Sequence, residues 1–113
     1  MPNNIIFIPS EEFEIFYDRL ETKDRQHLQA VITNITKFGL QTAIRLKWVK
    51  KIERNLYEIR SRSGSNIQRA IYFKVENNNY YITHGFTKKT QKTPKREINH
   101  AKEIRAHFMK GRE

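Results

Sequence analysis

The stretch THGFTKKTQKTPKRE, residues 83–97, sets Lys88, Lys89, Lys92, Lys95 and Arg96 in one connection with only Glu97 to offset them. Among the arginines that precede it, three fall on strand-like runs: Arg60 and Arg62 in LYEIRSR, and Arg69 in IQRAIYFKV. Side chains alternate along a strand, so Ile67, Arg69, Ile71, Phe73 and Val75 share one face, and Gln68, Ala70, Tyr72 and Lys74 the other. Arg69 stands on the more apolar face, where an unpaired charge is costly. Either an ion pair with Glu58 or Glu76 satisfies it, or a phosphate whose oxygens match its planar fork. In an antiparallel meander Arg60 and Arg62 lie beside the strand of Arg69, and Lys88, Lys89 and Lys92 close the end of the sheet. Such a set suits binding a phosphodiester and stabilising charge on it, and it lacks the carboxylate pair that glycoside hydrolysis needs.

Other chemistries leave no motif. GxGxxG, GxxxxGK and HExxH are absent, and the histidines are His27, His84, His100 and His107. His100 and His107 lie two helical turns apart, which falls short of the three protein ligands that zinc requires. No metal and no cofactor is implied. His84, near the lysine-rich connection, is either a satisfied structural histidine or a working group. With no cysteine there are no disulfides or thiolate sites, as fits a reducing compartment.

The formal charge of +10 is unevenly spread. Residues 1–44 carry a net −2, residues 45–74 a net +7 and residues 88–113 a net +6. A polyanion is the expected partner, with nucleic acid ahead of an anionic membrane. No apolar run approaches the roughly 20 residues of a membrane span, and Met1–Ser10 lacks the basic start and cleavage site of a signal peptide. The cytoplasm is the expected location, with no membrane association.

The elements that must position these residues follow from spacing. At 113 residues, 37% of them hydrophobic, the chain is expected to form one domain, 1–113, with a real core. Asn4–Ile8 reads as a short strand stopped by Pro9. Ser10 caps a helix running to about Leu20 through Phe13, Phe16 and Tyr17. Thr22 or Asp24 caps a second helix, with Leu28, Val31, Ile32, Ile35 and Phe38 on one side and Gly39 at its end; the two form an antiparallel hairpin. Ile44, Leu46, Trp48, Val49 and Ile52 alternate with cations, a pattern that fits a short turn of helix leading into irregular chain. Leu56–Arg60, Ile67–Val75 and Tyr80–Thr87 show period two and read as three consecutive antiparallel strands. Thr93 as N-cap and Pro94 at the first helical position launch a last helix with Ile98, Ala101, Ile104, Arg105 and Phe108 on one side and Gly111 at its end. The expected architecture is α+β, with the helices on one side of a small, mostly antiparallel twisted sheet.

LYEIR, then QRAIYF, then ITHGFTKKTQKTPKREINHAKEI resembles the phage-derived HigB-like branch of the RelE/HigB/ParE toxin superfamily, the toxin half of type II toxin-antitoxin modules. The resemblance runs from about residue 45 onward and implies a RelE-like fold: an N-terminal helical hairpin and a C-terminal helix on a twisted antiparallel sheet. It implies a ribosome-dependent mRNA endonuclease that uses the RNA's own 2′-hydroxyl as nucleophile and leaves a cyclic phosphate. By motif position it implies Arg60 and Arg69 as phosphate and transition-state clamps and Lys88 and Lys89 as RNA-positioning groups, one of them an acid. Arg62, Lys92, Lys95 and Arg96 extend the RNA-binding surface. The prototype RelE branch has a lysine where this chain has Glu58, and its C-terminal aromatic acid-base residue has no counterpart. Glu58 or His84 then serves as base, or Glu58 orients Arg69. The implied partners are mRNA on the ribosome and a HigA-like antitoxin with a helix-turn-helix domain. Operator DNA is reached only through that antitoxin, in a heterotetrameric complex. A ParE-like inhibitor of DNA gyrase and a non-enzymatic RNA-binding module are the competing readings.

Overall fold

The computed structural model describes residues 5–112; Asn4, expected to begin the first strand, lies outside them. The elements in chain order are β1 (Ile6–Pro9), α1 (Glu11–Arg19), α2 (Thr22–Phe38), α3 (Leu40–Arg45), β2 (Val49–Glu53), β3 (Leu56–Ser63), β4 (Asn66–Glu76), β5 (Asn79–Lys88) and α4 (Lys95–Lys110). The strands form one sheet in the order β1-β5-β4-β3-β2, with β1 parallel to β5 and every other pair antiparallel. This is the α+β architecture that the sequence pattern implies, and it is compatible with a RelE-like fold.

Two local expectations need correction. The segment around Trp48 forms α3 and then a fifth strand, β2, rather than irregular chain. Period two was hidden because Lys47 sits in the left-handed region at φ 66° and the β2–β3 register shifts between Lys51 and Glu53. The helices also do not share one side of the sheet. Phe13 of α1, Leu28 and Ile35 of α2 and Ala43 of α3 pack with Ile59, Ala70, Tyr72 and Ile82 on one face. Ala101 of α4, flanked by Ile98 and Phe108, packs with Leu56, Ile71, Phe73 and Phe86 on the other. A sheet covered on both faces buries successive residues rather than alternate ones, which is why Ile67 to Phe73 is buried without interruption.

Two of the three expected helix caps also differ. Ser10 caps α1 as expected, accepting from Phe13 N at 3.0 Å while its hydroxyl donates to Thr83 O at 2.7 Å, so the start of α1 is tied to β5. By contrast α2 begins at Thr22 behind Glu21, and Asp24 accepts from Gln68 Nε2 at 3.4 Å. Pro94 occupies the N-cap position of α4, and Thr93 turns elsewhere, as described below.

Close approach of α1 to the sheet fixes one glycine. A Cβ on Gly85 would lie 2.3 Å from Phe16 Cδ2 and 2.5 Å from Cε2. Gly85→Ala is expected to lower stability by about 1–3 kcal/mol in denaturant titration, because the ring must move out of a packed layer. Pairing it with Phe16→Leu should give a loss smaller than the sum of the two single losses.

Candidate functional site

The cationic residues converge because of register. Arg60 lies directly opposite Arg69, which lies opposite Phe86; the neighbouring rung holds Arg62, Ile67 and Lys88, and the next on the other side Glu58, Ile71 and His84. All of these residues therefore point to the face that α4 partly covers. The connection 89–94 folds over the rungs that lie beyond the start of α4.

Glu58 is the hub. It is fully buried, accepts from Arg60 Nε at 2.6 Å on one oxygen and from the Thr93 hydroxyl at 2.9 Å on the other, and faces Arg69 Nη1 at 3.8 Å. Thr93 thus serves a buried carboxylate instead of capping α4. Backbone carbonyls complete the cluster: Gln91 O accepts from Arg60 Nη2 at 2.5 Å, and Lys92 O from Arg69 Nη1 at 3.2 Å. Three successive residues of the connection are pinned by one charged cluster.

The two arginines differ in access. Arg60 keeps part of its side chain in solvent, whereas Arg69 is fully buried, lying over the Phe86 ring at 6.0 Å. The expectation that Arg69 touches phosphate directly does not match this arrangement, since the connection lies between it and solvent. Burial pushes its pKa down, Glu58 opposes that shift, and Arg60 and Arg62 add to it. Its Nε and Nη2 have no hydrogen-bond partner among the described residues. One carboxylate for two arginines leaves the cluster with excess positive charge, held in a low-dielectric place where it acts strongly on a nearby anion. Of the alternatives for Arg69, the ion pair is made with Glu58; Glu76 pairs with Arg112.

His84 is not part of that cluster. It lies two strands from Glu58 along the same rung, a separation of about 10 Å between backbones. Its ring is buried, with Nε2 3.0 Å from Glu97, Nδ1 3.0 Å from the Thr83 hydroxyl, and the His100 ring 4.6 Å away. His100 in turn meets Glu12 of α1 at 2.8 Å. Thr83 also donates to Ile71 O at 3.0 Å, so with the hydroxyl proton there both ring nitrogens must donate, which only the imidazolium does. Burial opposes that form and, outweighing Glu97, pushes the pKa of His84 below its usual 6.5. The neutral ring gives up one of the three contacts.

The remaining cations lie at the surface. Lys89, Lys92, Lys95, Arg96 and Arg62 are exposed, and Lys88 is half-buried. The β3 strand runs beyond β2, whose side of it ends with the bond from Arg60 N to Trp48 O at 2.8 Å, so the edge is open past Arg60, beside Arg62. A concavity of about 310 Å³ lies there, lined by Trp48, Lys47, Arg60, Arg62 and Gln91 among others. Trp48 packs against the core of α2 and α3 and also borders this concavity, which no local pattern announces; Gln91 gives no signal as an arginine partner, and the cap signal of Thr93 conceals its bond to Glu58.

The family profile "Phage derived protein Gp49-like (DUF891)" matches residues 16–106. The chain belongs to this Gp49-like family. No curated protein matches the chain. The Gp49-like family is a phage-derived, toxin-like family of toxin-antitoxin type, which agrees with the phage-derived toxin that the sequence resembles at this coarse level, including partnership with an antitoxin, and does not single out the HigB branch. The match takes in every strand from β2 to β5 and hence the whole arginine cluster of this Gp49-like chain. Among the described residues no helix is long and apolar enough to cross a membrane.

Two outcomes test the geometry. Glu58→Gln leaves two guanidinium groups without their anion and is expected to cost about 3–5 kcal/mol in chemical denaturation. For His84 the folded pKa is lowered, so the unfolded chain takes up the proton first and stability falls as pH drops below about 6.5. His84→Gln should flatten that part of a pH series of melting curves relative to the unaltered chain.

Proposed function

We propose that this Gp49-like protein is the toxin of a type II toxin-antitoxin module and acts as an endoribonuclease on mRNA at the ribosome. The observation that carries the reading is the in-register pair Arg60 and Arg69 sharing the single carboxylate of Glu58 at the open end of a cationic sheet face. In this reading the RNA's 2′-hydroxyl attacks the adjacent phosphorus, a cyclic phosphate forms, and the 5′-oxygen leaves with a proton. The protein must align the 2′-oxygen with the phosphorus and stabilise the dianionic phosphorane between. Arg60, with access to solvent and its outer nitrogens held, among the described residues, by Gln91, is the group suited to touch the phosphate. Arg69 acts from behind, as a fixed charge whose unpartnered N–H groups face no competing acceptor among the described residues.

Glu58 has both oxygens engaged, which suits it to hold Arg60 and Arg69 in place rather than to take a proton from the 2′-hydroxyl. His84 is enclosed by Thr83, Glu97 and Phe86, away from the arginines. Proton transfer is therefore assigned to Lys88, Lys89 or a group of the ribosome. Lys92, Lys95, Arg96 and Arg62 bind RNA backbone, messenger or ribosomal, through salt-sensitive contacts. The antitoxin in this proposal is HigA-like, carries the operator-binding helix-turn-helix domain, and assembles with the toxin as a heterotetramer in the cytoplasm.

Expression of Arg60→Ala in cells, followed by mapping of RNA 5′ ends after brief induction, tests the proposal. The unaltered chain should create new ends within translated messages, and Arg60→Ala should reduce their yield by roughly 10²–10³-fold, the usual loss for one transition-state donor. Growth arrest that persists in both, without new ends and with disturbed DNA supercoiling, replaces the nuclease with a ParE-like inhibitor of gyrase. RNA binding without new ends makes the chain a binding module.

A further inference from the structure

Trp48 lies outside the arginine cluster, yet the fold holds it beside that cluster with unusual care. Its N–H donates to Ala43 O at 2.9 Å, and its carbonyl accepts from Arg60 N at 2.8 Å, so α3 on one side and β3 on the other fix the backbone that carries the indole. The Phe38 ring stands behind it at 6.2 Å, and Lys47, just before it, is held in the left-handed region at φ 66°. The half-buried indole forms one wall of the concavity of about 310 Å³, with Leu46 beside it. Arg60, Arg62 and Lys47 supply the charge around the opening, and among the described residues neither aspartate nor glutamate lines it. A second depression of about 290 Å³ shares Lys47 and Arg60 and continues over Lys50 and Lys51 of β2.

A flat apolar wall set in a ring of cations, with a cationic path leading away, matches one kind of occupant. We propose that this groove takes one unpaired nucleotide of single-stranded RNA, its base against Trp48 and its flanking phosphates on Arg60, Arg62 and Lys47, with the next nucleotides running over Lys50 and Lys51. The inference rests on the RNA-cleaving reading and gives it a substrate register: the base on Trp48 neighbours the phosphate that Arg60 touches. The volume is at the lower end of the roughly 300–1,000 Å³ of small-ligand clefts, enough for one base. A π-face stacks on any base, so the groove places the strand without demanding a sequence. An apolar segment of a protein partner would not use the three cations; a purely electrostatic partner would not use the indole.

Trp48 is the only tryptophan, so its emission reports this groove directly. Titration of the unaltered chain at low ionic strength with a single-stranded hexaribonucleotide should quench that emission saturably, whereas inorganic polyphosphate should bind without comparable quenching. By fluorescence anisotropy of a labelled hexamer, Trp48→Phe should keep most of the affinity and Trp48→Ala should lose roughly 5- to 150-fold, the stacking contribution of one base. Melting curves of both variants check that the fold is retained. If the hexamer binds without changing the emission of Trp48, the groove is not its site and the proposal is overturned. It is overturned equally if Trp48→Ala cuts the same messages at the same positions and yields in cells, although the proposed nuclease then stands. Quenching by RNA in a protein that makes no cuts supports the groove and removes the nuclease.

Discussion

Two guanidinium groups on adjacent strands, directly opposite one another, repel across a distance of about 4.5–5.5 Å between Cβ atoms, and the sheet tolerates them because Glu58 lies one rung away on the same face. That shared carboxylate organises what surrounds it. It draws the Thr93 hydroxyl inward, which brings the carbonyls of Gln91 and Lys92 over Arg60 and Arg69. The chain can turn into α4 only after this anchor, with Pro94 at the N-cap. A connection of lysines, which self-repulsion would otherwise keep loose, is thus held by its neutral groups while its ammonium groups face outward. The crowding of cations and the order of their backbone have separate causes.

Layering decides where that charge can act. Helices α1, α2 and α3 seal one face and α4 seals much of the other, so the two hydrophobic clusters meet across β3, β4 and β5. Each fully buried Ile, Leu or Phe there contributes about 1.5–3 kcal/mol, and that surplus tolerates an incompletely satisfied arginine in the sheet. Past Arg60 the β2 partner is missing, while α2 still covers the face on which Ser61 is buried and Gln68 meets Asp24. The open edge, the exposed part of Arg60 and Trp48 coincide at that place.

Much of this was legible in sequence, for reasons that differ by element. Period two in β3, β4 and β5 and the apolar spacing in α1, α2 and α4 are local signals, and so was the face assignment that put Arg69 among Ile67, Ile71 and Phe73. The convergence of Arg60 with Arg69 was accessible because a short turn at Ser63–Asn66 leaves little freedom of register. What stayed hidden depended on long-range pairing. β2 is a strand only because β3 offers it an edge, and its bulge removes the alternation that would have announced it. Thr93 followed by Pro94 carries a true capping signal; a buried carboxylate 35 positions earlier in the chain outbids the helix for its hydroxyl. No local pattern tells which face a terminal helix takes, so α4 was placed with the others. His84 was drawn toward the lysines by nearness in sequence, while the bulge at Thr83 and the carboxylate of Glu97 hold it with α4.

The excess charge of the cluster has a consequence for both halves of the proposed module. A group that is buried, cationic and short of acceptors gains from any anion able to approach, and the gain does not depend on whether the anion is a phosphodiester or a carboxylate of a protein segment. In the proposed function a messenger phosphate reaches this charge through Arg60, while Arg69 contributes through its field and needs no contact. An antitoxin carrying acidic residues to the same edge would draw on the same electrostatic energy and exclude RNA without deforming the fold. Neutralisation of that kind requires no second conformation of the toxin, because two ligands that relieve one charge at one place compete by occupancy alone.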